Sequence, residues 1–302
     1  MNPVARLSEE GLVIFLFHGV IEKDRHQVRN YTRKHLTRDF FARLMTDLAA
    51  QGRALSLDQV VDHHLSKRPY PPRAFALTFD DGFENNFSLA APILADLGLP
   101  ATFYLTTGFI EDNAMSWIDR IEYCLEVTDK GRLRLPWDGR ERTFAGPKEK
   151  IELLDYIRAQ AKTDPRLDLD RLVSEVFSQC GQEEISQSDD PLDLKMSWDQ
   201  VRDLAGQELF SLGGHTHRHP VLSFLDADEL DREIRTSLDL LQQKAGVGPR
   251  HYSYPEGLAY CFSPQVIEAL KSRGVVCCPT AEAGLNRAGD DLFYLKRVPV
   301  VG

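Results

Sequence analysis

The sequence predicts an α/β protein built on a largely parallel sheet, open or closed into a barrel. Two observations carry this reading. Short apolar runs alternate with amphipathic helical patterns over most of the 302 residues, and three polar clusters follow three of those runs directly. A third feature qualifies it. Over residues 113–195 the alternation lapses into charged, helix-like sequence, which predicts a helical insertion within a single domain spanning 1–302.

Residues 12–17 are apolar throughout and of strand length. Thr37 then caps a helix to about Ala50, with Phe40, Phe41, Leu44, Met45 and Leu48 at helical spacing, and Gly52 ends it. Ser56 opens a shorter helix to Leu65. Residues 74–79 form the next strand, followed by a polar turn and a helix containing Leu89, Ile93, Leu94 and Leu97 that Gly98 stops. Residues 101–106 are again a strand. Within the insertion, 151–161 and 171–180 read as helices. Ser197 caps a helix to Leu204, 209–212 is a strand, and Asp226 caps a long helix to about Lys244. Residues 251–254 predict a strand, Ser263 and Pro264 open a helix ending near Gly274, and 275–278 and 292–300 are the closing strands. There is no internal repeat and no low-complexity tract.

Composition narrows the function. Lys+Arg number 36 against 46 Asp+Glu, a net charge of -10, which disfavours a nucleic-acid backbone or an anionic membrane surface as the main partner. It leaves room for a local basic pocket. No apolar run reaches the roughly 18 residues of a bilayer span, so no transmembrane segment is expected. The five cysteines (Cys124, Cys180, Cys261, Cys277 and Cys278) contain no CxxC pair, and Cys277 and Cys278 sit in a predicted strand as buried thiols. Residues 1–11 carry Arg6, Glu9 and Glu10 and no hydrophobic signal region, so the expected location is the cytoplasm.

The three clusters carry the chemistry, because parallel α/β folds place their sites at the carboxyl ends of strands. The first is Thr78-Phe79-Asp80-Asp81-Gly82. A turn at Gly82 can bring both carboxylates to one mouth, one to hold a metal and the other to accept a proton. Alone, Asp-Asp-Gly would read as a turn or a helix cap. The second is Gly213-Gly214-His215-Thr216-His217-Arg218-His219-Pro220. Three histidines in five positions are hard to justify as packing, and His-plus-carboxylate is the ligand pattern of a catalytic zinc with one open position. His217 is expected to point away, with Asp81 as the better third ligand. The third is His251-Tyr252-Ser253-Tyr254-Pro255-Glu256-Gly257, a turn whose backbone N–H groups can serve as oxyanion donors.

In that order, Thr-Phe-Asp-Asp-Gly, His-Thr-x-x-His-Pro and Tyr-Pro-x-Gly resemble the polysaccharide deacetylase family, carbohydrate esterase family four, over about 200 residues outside the insertion. The resemblance implies a distorted (β/α) barrel of about seven strands and one divalent ion, most often Zn2+. It implies Asp80 as general base, Asp81, His215 and His219 as metal ligands, and the turn after Tyr254 as the oxyanion segment, with the backbone N–H of Glu256 as donor. Two departures stand out. Ser253 replaces the family's usual Arg, and the late Leu-x-His motif of the general acid is missing, Leu295-Lys296-Arg297 standing in its region. The opening Phe15-Leu16-Phe17-His18-Gly19-Val20 resembles that of a circularly permuted branch, which includes poly-N-acetylglucosamine deacetylases. There the acid-bearing strand comes first, which makes His18 the acid. By its residues alone His18 is equally a core or capping histidine. Arg297 is a candidate to orient Asp80, a substrate contact or a rim residue. Trp117, in Ser116-Trp117-Ile118-Asp119, either stacks on a sugar or packs at the start of the insertion.

The expected activity is hydrolytic removal of an N-acetyl group from an acylated sugar or glycan precursor. Two alternatives remain: a sugar deformylase or other amide hydrolase of the same fold, and a non-catalytic glycan-binding relative.

Overall fold

The computed structural model describes residues 3–248 and 250–302. The chain opens with β1 (Leu12–Phe17), β2 (Gly19–Ile21) and β3 (His35–Thr37), followed by α1 (Arg38–Gln51), β4 (Arg53–Ala54) and α2 (Leu57–Leu65). Next come β5 (Ala74–Phe79), α3 (Ala91–Asp96), β6 (Ala101–Leu105) and α4 (Thr107–Asp112). The insertion contributes α5 (Trp117–Val127), β7 (Gly131–Arg134), β8 (Glu141–Phe144), α6 (Pro147–Ala161) and α7 (Leu169–Cys180). The chain finishes with α8 (Trp198–Ala205), β9 (Phe210–Gly214), α9 (Ala227–Ala245), α10 (Pro264–Ser272) and β10 (Arg297–Pro299).

The main sheet is parallel in the order β10-β1-β5-β6-β9, with β4 on the first residues of β5. Beyond β9 the ladder gives way to single bonds. Gly214 bridges to Tyr252 and His251 to Cys277, both parallel. Thr280 N–H then donates to the Leu295 carbonyl at 2.8 Å and Arg297 N–H to the Glu282 carbonyl at 3.0 Å, leading the circuit back to β10. This is the distorted barrel expected. The anticipated strands 251–254 and 275–278 shrink to bridges because Pro255 and Pro279 cut both runs short and bring no N–H to extend a ladder. The expected strand 292–300 is regular only over Arg297–Pro299.

Two further expectations are corrected. The helix after the first cluster begins as a π-helical turn, Asn86–Ala90, before becoming α3. The insertion is not purely helical, since β7 and β8 form an antiparallel hairpin. Its strand signal is weak because Arg132, Arg134 and Glu141 are exposed and only Leu133 and Phe144 bury their side chains. Those two join Ile121, Leu125, Leu154, Val173 and Phe177 in a core of the insertion's own.

Strand alternation sorts the remaining core into two layers. Val13, Phe15 and Phe17 of β1, with Phe75, Leu77 and Phe79 of β5, face outward against Phe41, Leu44 and Leu48 of α1. Leu12 and Ile14, with Ala74 and Ala76, face the barrel interior beside Tyr104 and Tyr252. The outer layer is an aromatic stack. Phe79 lies between Phe17 and Phe103, with ring centroids at 5.1 and 4.9 Å, and Phe41 meets Phe17 edge-on at 5.7 Å. Inside, Tyr104 sits opposite Gly213, where a Cβ would come within 2.8 Å of the tyrosine ring. Glycine there makes room for the ring.

The same alternation positions the functional residues. Continuing the inward parity of β1 reaches His18, that of β5 reaches Asp80, and that of β9 reaches His215, all one residue past a strand's carboxyl end. Phe79 holds this register from behind. Phe79→Ala is expected to destabilise the protein by about 3–5 kcal/mol, read as a lower urea midpoint with little change in m-value.

Candidate active site and metal centre

His18, Asp80, Asp81, His215, His219, Glu256 and Arg297 all line one cavity of about 330 Å³ at the carboxyl end of the sheet. Asp80 and Arg297 form its floor. The guanidinium is fully buried and grips the Asp80 carboxylate with two bonds, Nη1–Oδ1 at 2.7 Å and Nη2–Oδ2 at 2.9 Å. Its Nε donates to the Thr280 carbonyl at 2.7 Å, and its remaining face lies over Tyr104. Burial works against the Asp80 charge, but Arg297, with His215 and His18, outweighs it and holds the carboxyl below its usual range. Of the three roles open to Arg297, the geometry is that of a residue orienting Asp80.

Asp81 departs from the strand in the left-handed region, φ 76°, and Gly82 follows at 81°. Non-glycine residues pay about 1–3 kcal/mol for such geometry, which persists where its surroundings impose it. The turn swings the Asp81 carboxylate to the histidines. His219 Nε2 lies 3.3 Å and His215 Nε2 3.6 Å from Asp81 Oδ1. Thr216 and His219 are left-handed too, and His219 N–H donates to Thr216 Oγ1 at 2.9 Å, tightening the loop. His217 turns away, with its Nδ1 3.1 Å from Thr107 Oγ1.

These residues fit a divalent cation. One donor atom from each of Asp81, His215 and His219 lies within 4.8 Å of the others. His215 Nδ1 is 2.9 Å from the Ser253 carbonyl, which takes its proton and leaves the Nε2 lone pair facing the cluster. Ser253 Oγ, 2.7 Å from the same nitrogen, stands where an arginine was expected. Burial pushes the His215 pKa down to about 4, so the ring is neutral and ready to coordinate. Burial works against the charge of Asp81 as well, yet His219 keeps it ionised well below the ordinary carboxylate range.

His18 is half-buried on the cavity wall, and burial lowers its pKa against the pull of Asp81 and Asp80. It is neutral at neutral pH, ready to accept a proton before passing it on. Glu256 lies at φ 60°, and its carboxylate is paired with Lys162 of the insertion. Tyr254 is not a cavity residue, a correction to its grouping with the substrate contacts. Its ring is fully buried against Phe262 at 4.5 Å and its hydroxyl donates to the Phe293 carbonyl at 3.2 Å, so it anchors the turn from behind. Trp117 packs on the insertion's core, as one of its two readings expects, and its side chain also lines the cavity.

Sequence reasoning missed Lys34, Arg158 and Lys162, which line the same cavity. Lys34 comes from the segment before β3, Arg158 from α6, and Lys162 just follows that helix. Each reads in the sequence as an ordinary surface charge, and no local pattern marks it.

A parallel barrel with a base-like carboxylate beside an Asp-His-His cluster defines a metal-dependent hydrolase fold. The chain belongs to the polysaccharide deacetylase family, whose model matches residues 67–277. No curated protein matches the chain. Among solved structures, a deacetylase of Streptococcus pyogenes, PplD, in complex with acetate aligns with a TM-score of 0.63 at 15% identity, covering 96% of this chain and 92% of that one. IcaB from Ammonifex degensii aligns at 0.59 and 19%, covering 98% and 94%. A de-N-acetylase from Aggregatibacter actinomycetemcomitans aligns at 0.58 and 16%, covering 95% and 94%. Such identities establish the shared fold. His18 and Arg297 both lie outside the matched segment, His18 just past β1, which pairs with β5, and Arg297 on β10, which pairs with β1.

Purified protein is expected to bind one divalent metal ion per chain. His215→Ala should lose it, whereas Ser253→Ala, which keeps the backbone carbonyl that holds the ring, should weaken binding by less than about 10-fold, both read by competition with a chromogenic chelator.

Proposed function

We propose that this deacetylase removes the N-acetyl group of an acylated sugar or glycan precursor, with Asp80 as general base and His18 as general acid. The observation that carries the reading is the convergence of Asp80, His18 and the Asp81-His215-His219 cluster on one cavity. Asp81, His215 and His219 would hold a divalent ion, for which zinc suits the donor set of two imidazoles and a carboxylate. Bound there, the ion supplies electrophilic polarisation of the acyl carbonyl and acidifies a water.

The chain's own residues do the rest. Asp80, oriented by Arg297, takes a proton from the attacking water. The Glu256 N–H, in a left-handed turn at the cavity lining, would donate to the carbonyl oxygen as it gains charge. His18, neutral at rest, takes up the proton that Asp80 removed from the water and delivers it to the nitrogen as the C–N bond breaks, because an amine anion is a very poor leaving group. The proton lost by water thus leaves on the amine, and acetate and the free amine are the products. A formamide would fit the same groups, and product analysis separates acetate from formate. The cytoplasm is the compartment we propose, supported by five free thiols. No helix among the described residues is long and apolar enough to cross a membrane.

His18→Ala should lower kcat by about 10²–10⁴-fold with bound zinc retained, whereas Asp81→Ala should lose metal and activity together. Full activity in His18→Ala would remove it from the acid role. Arg297→Met strips the Asp80 carboxylate of its cation and raises its pKa. Because the base works deprotonated, the acid limb of the kcat/KM profile should move to higher pH.

A further inference from the structure

Three cations on the cavity wall have no part in the chemistry above. Lys34, Arg158 and Lys162 each line it, and each carries one carboxylate partner. Lys34 Nζ lies 2.8 Å from Asp119, Arg158 Nη1 lies 3.0 Å from Glu122, and Lys162 pairs with Glu256. Their side chains are only 14, 19 and 20% exposed, so they sit at the cavity and not on the outer surface. An ammonium has three donors and a guanidinium five, so each single pair leaves donors available to a ligand.

The carboxylates Asp119 and Glu122 are themselves buried and do not line the cavity. They aim the cations without covering them. Arg297, the fourth cation of the lining, is fully engaged with Asp80. Against Lys34, Arg158 and Lys162 the lining sets one further anion, Glu256, because Asp80 and Asp81 are committed to Arg297 and the metal cluster. The three ion pairs carry no net charge, but with Asp119 and Glu122 behind the wall the donors that reach the cavity from Lys34 and Arg158 are cationic, a polarity that a neutral N-acetyl sugar does not require. Partly desolvated cations are held at appreciable free-energy cost and attract an anion strongly. Trp117 and Leu258 add apolar surface beside them.

We propose that Lys34, Arg158 and Lys162 form a subsite for an anionic substituent of the substrate, a phosphate or a carboxylate on the acylated sugar. This rests on the deacetylase reading of the same cavity and narrows its substrate to charged sugars. The planar fork of Arg158 suits an oxyacid group, and the two ammonium groups neutralise it from either side.

The test measures binding and turnover separately on the zinc-loaded protein. N-acetylglucosamine, its 1-phosphate and N-acetylmuramic acid serve as neutral, phosphate and carboxylate probes, each followed by calorimetry and by acetate release. At least one charged probe should bind at least 10-fold more tightly than the neutral sugar, and which one does identifies the anion. Arg158→Gln and Lys162→Gln should each cut that advantage about 10-fold, and Arg158→Lys should recover most of it in a protein of the same zinc content. Equal affinity for charged and neutral probes, or an advantage that survives both Gln variants, overturns the subsite. A charge advantage without acetate release from any probe would keep the subsite and sink the deacetylase reading. Acetate release from the neutral sugar with no charge preference would do the reverse.

Discussion

The buried pair between Asp80 and Arg297 is the constraint around which the site is organised. A lone carboxylate at the floor of a barrel would protonate and cease to be a base. The bidentate guanidinium keeps it charged and fixes its plane, while Thr280 and Tyr104 fix the guanidinium. Replacing the pair by apolar side chains need not destabilise the fold, since desolvation offsets much of the attraction. Its value lies in the charge state and orientation of one oxygen pair. Nearby, Ser253 occupies the place of the family's usual arginine and contacts both Asp80 and His215, at 3.4 and 2.7 Å. The small side chain there leaves the space that a guanidinium arriving from β10 requires.

Much of this was legible in the sequence because the polar clusters stand directly after uniformly apolar runs of strand length, where parallel α/β folds place their sites. The apolar runs at 12–17 and 74–79 correspond to β1 and β5 residue for residue, and their inward parity points His18 and Asp80 into one mouth. The histidine cluster was legible because packing offers no rival explanation for it. What escaped was long-range. Nothing local to Arg297 says that its strand lies against β1, so three roles stayed open until the register Ile14 to Arg297 was seen. Lys34, Arg158 and Lys162 escaped for the same reason. The hairpin β7–β8 escaped because its buried residues, Leu133 and Phe144, are too few to make a pattern.

The insertion is tied to the segment before β3 by buried charge as well as by Val28 and Tyr31, which pack on its core. Arg29 pairs with Asp193 and Lys34 with Asp119, while Glu126 of α5 accepts backbone N–H bonds from Gln27, Val28 and Arg29. These contacts join the segment before β3 to residues 85 to 164 positions later and wall one side of the cavity. Buried ionic contacts of this kind tolerate little misplacement, so they locate that wall relative to the floor more strictly than they stabilise it.

The place of β10 in the chain bears on how the molecule assembles. Asp80 and Arg297 are 217 positions apart, and β1 lies between their strands. Contacts so distant in the chain form late, because a long loop must close before they return any free energy. The aromatic stack of β1, β5 and β6 can form with the last strand still undocked. In that intermediate Asp80 would face the interior without its cation. Refolding should therefore recover native-like secondary structure before it recovers a competent base, and the arrival of the final strand is the event that turns a folded barrel into an enzyme.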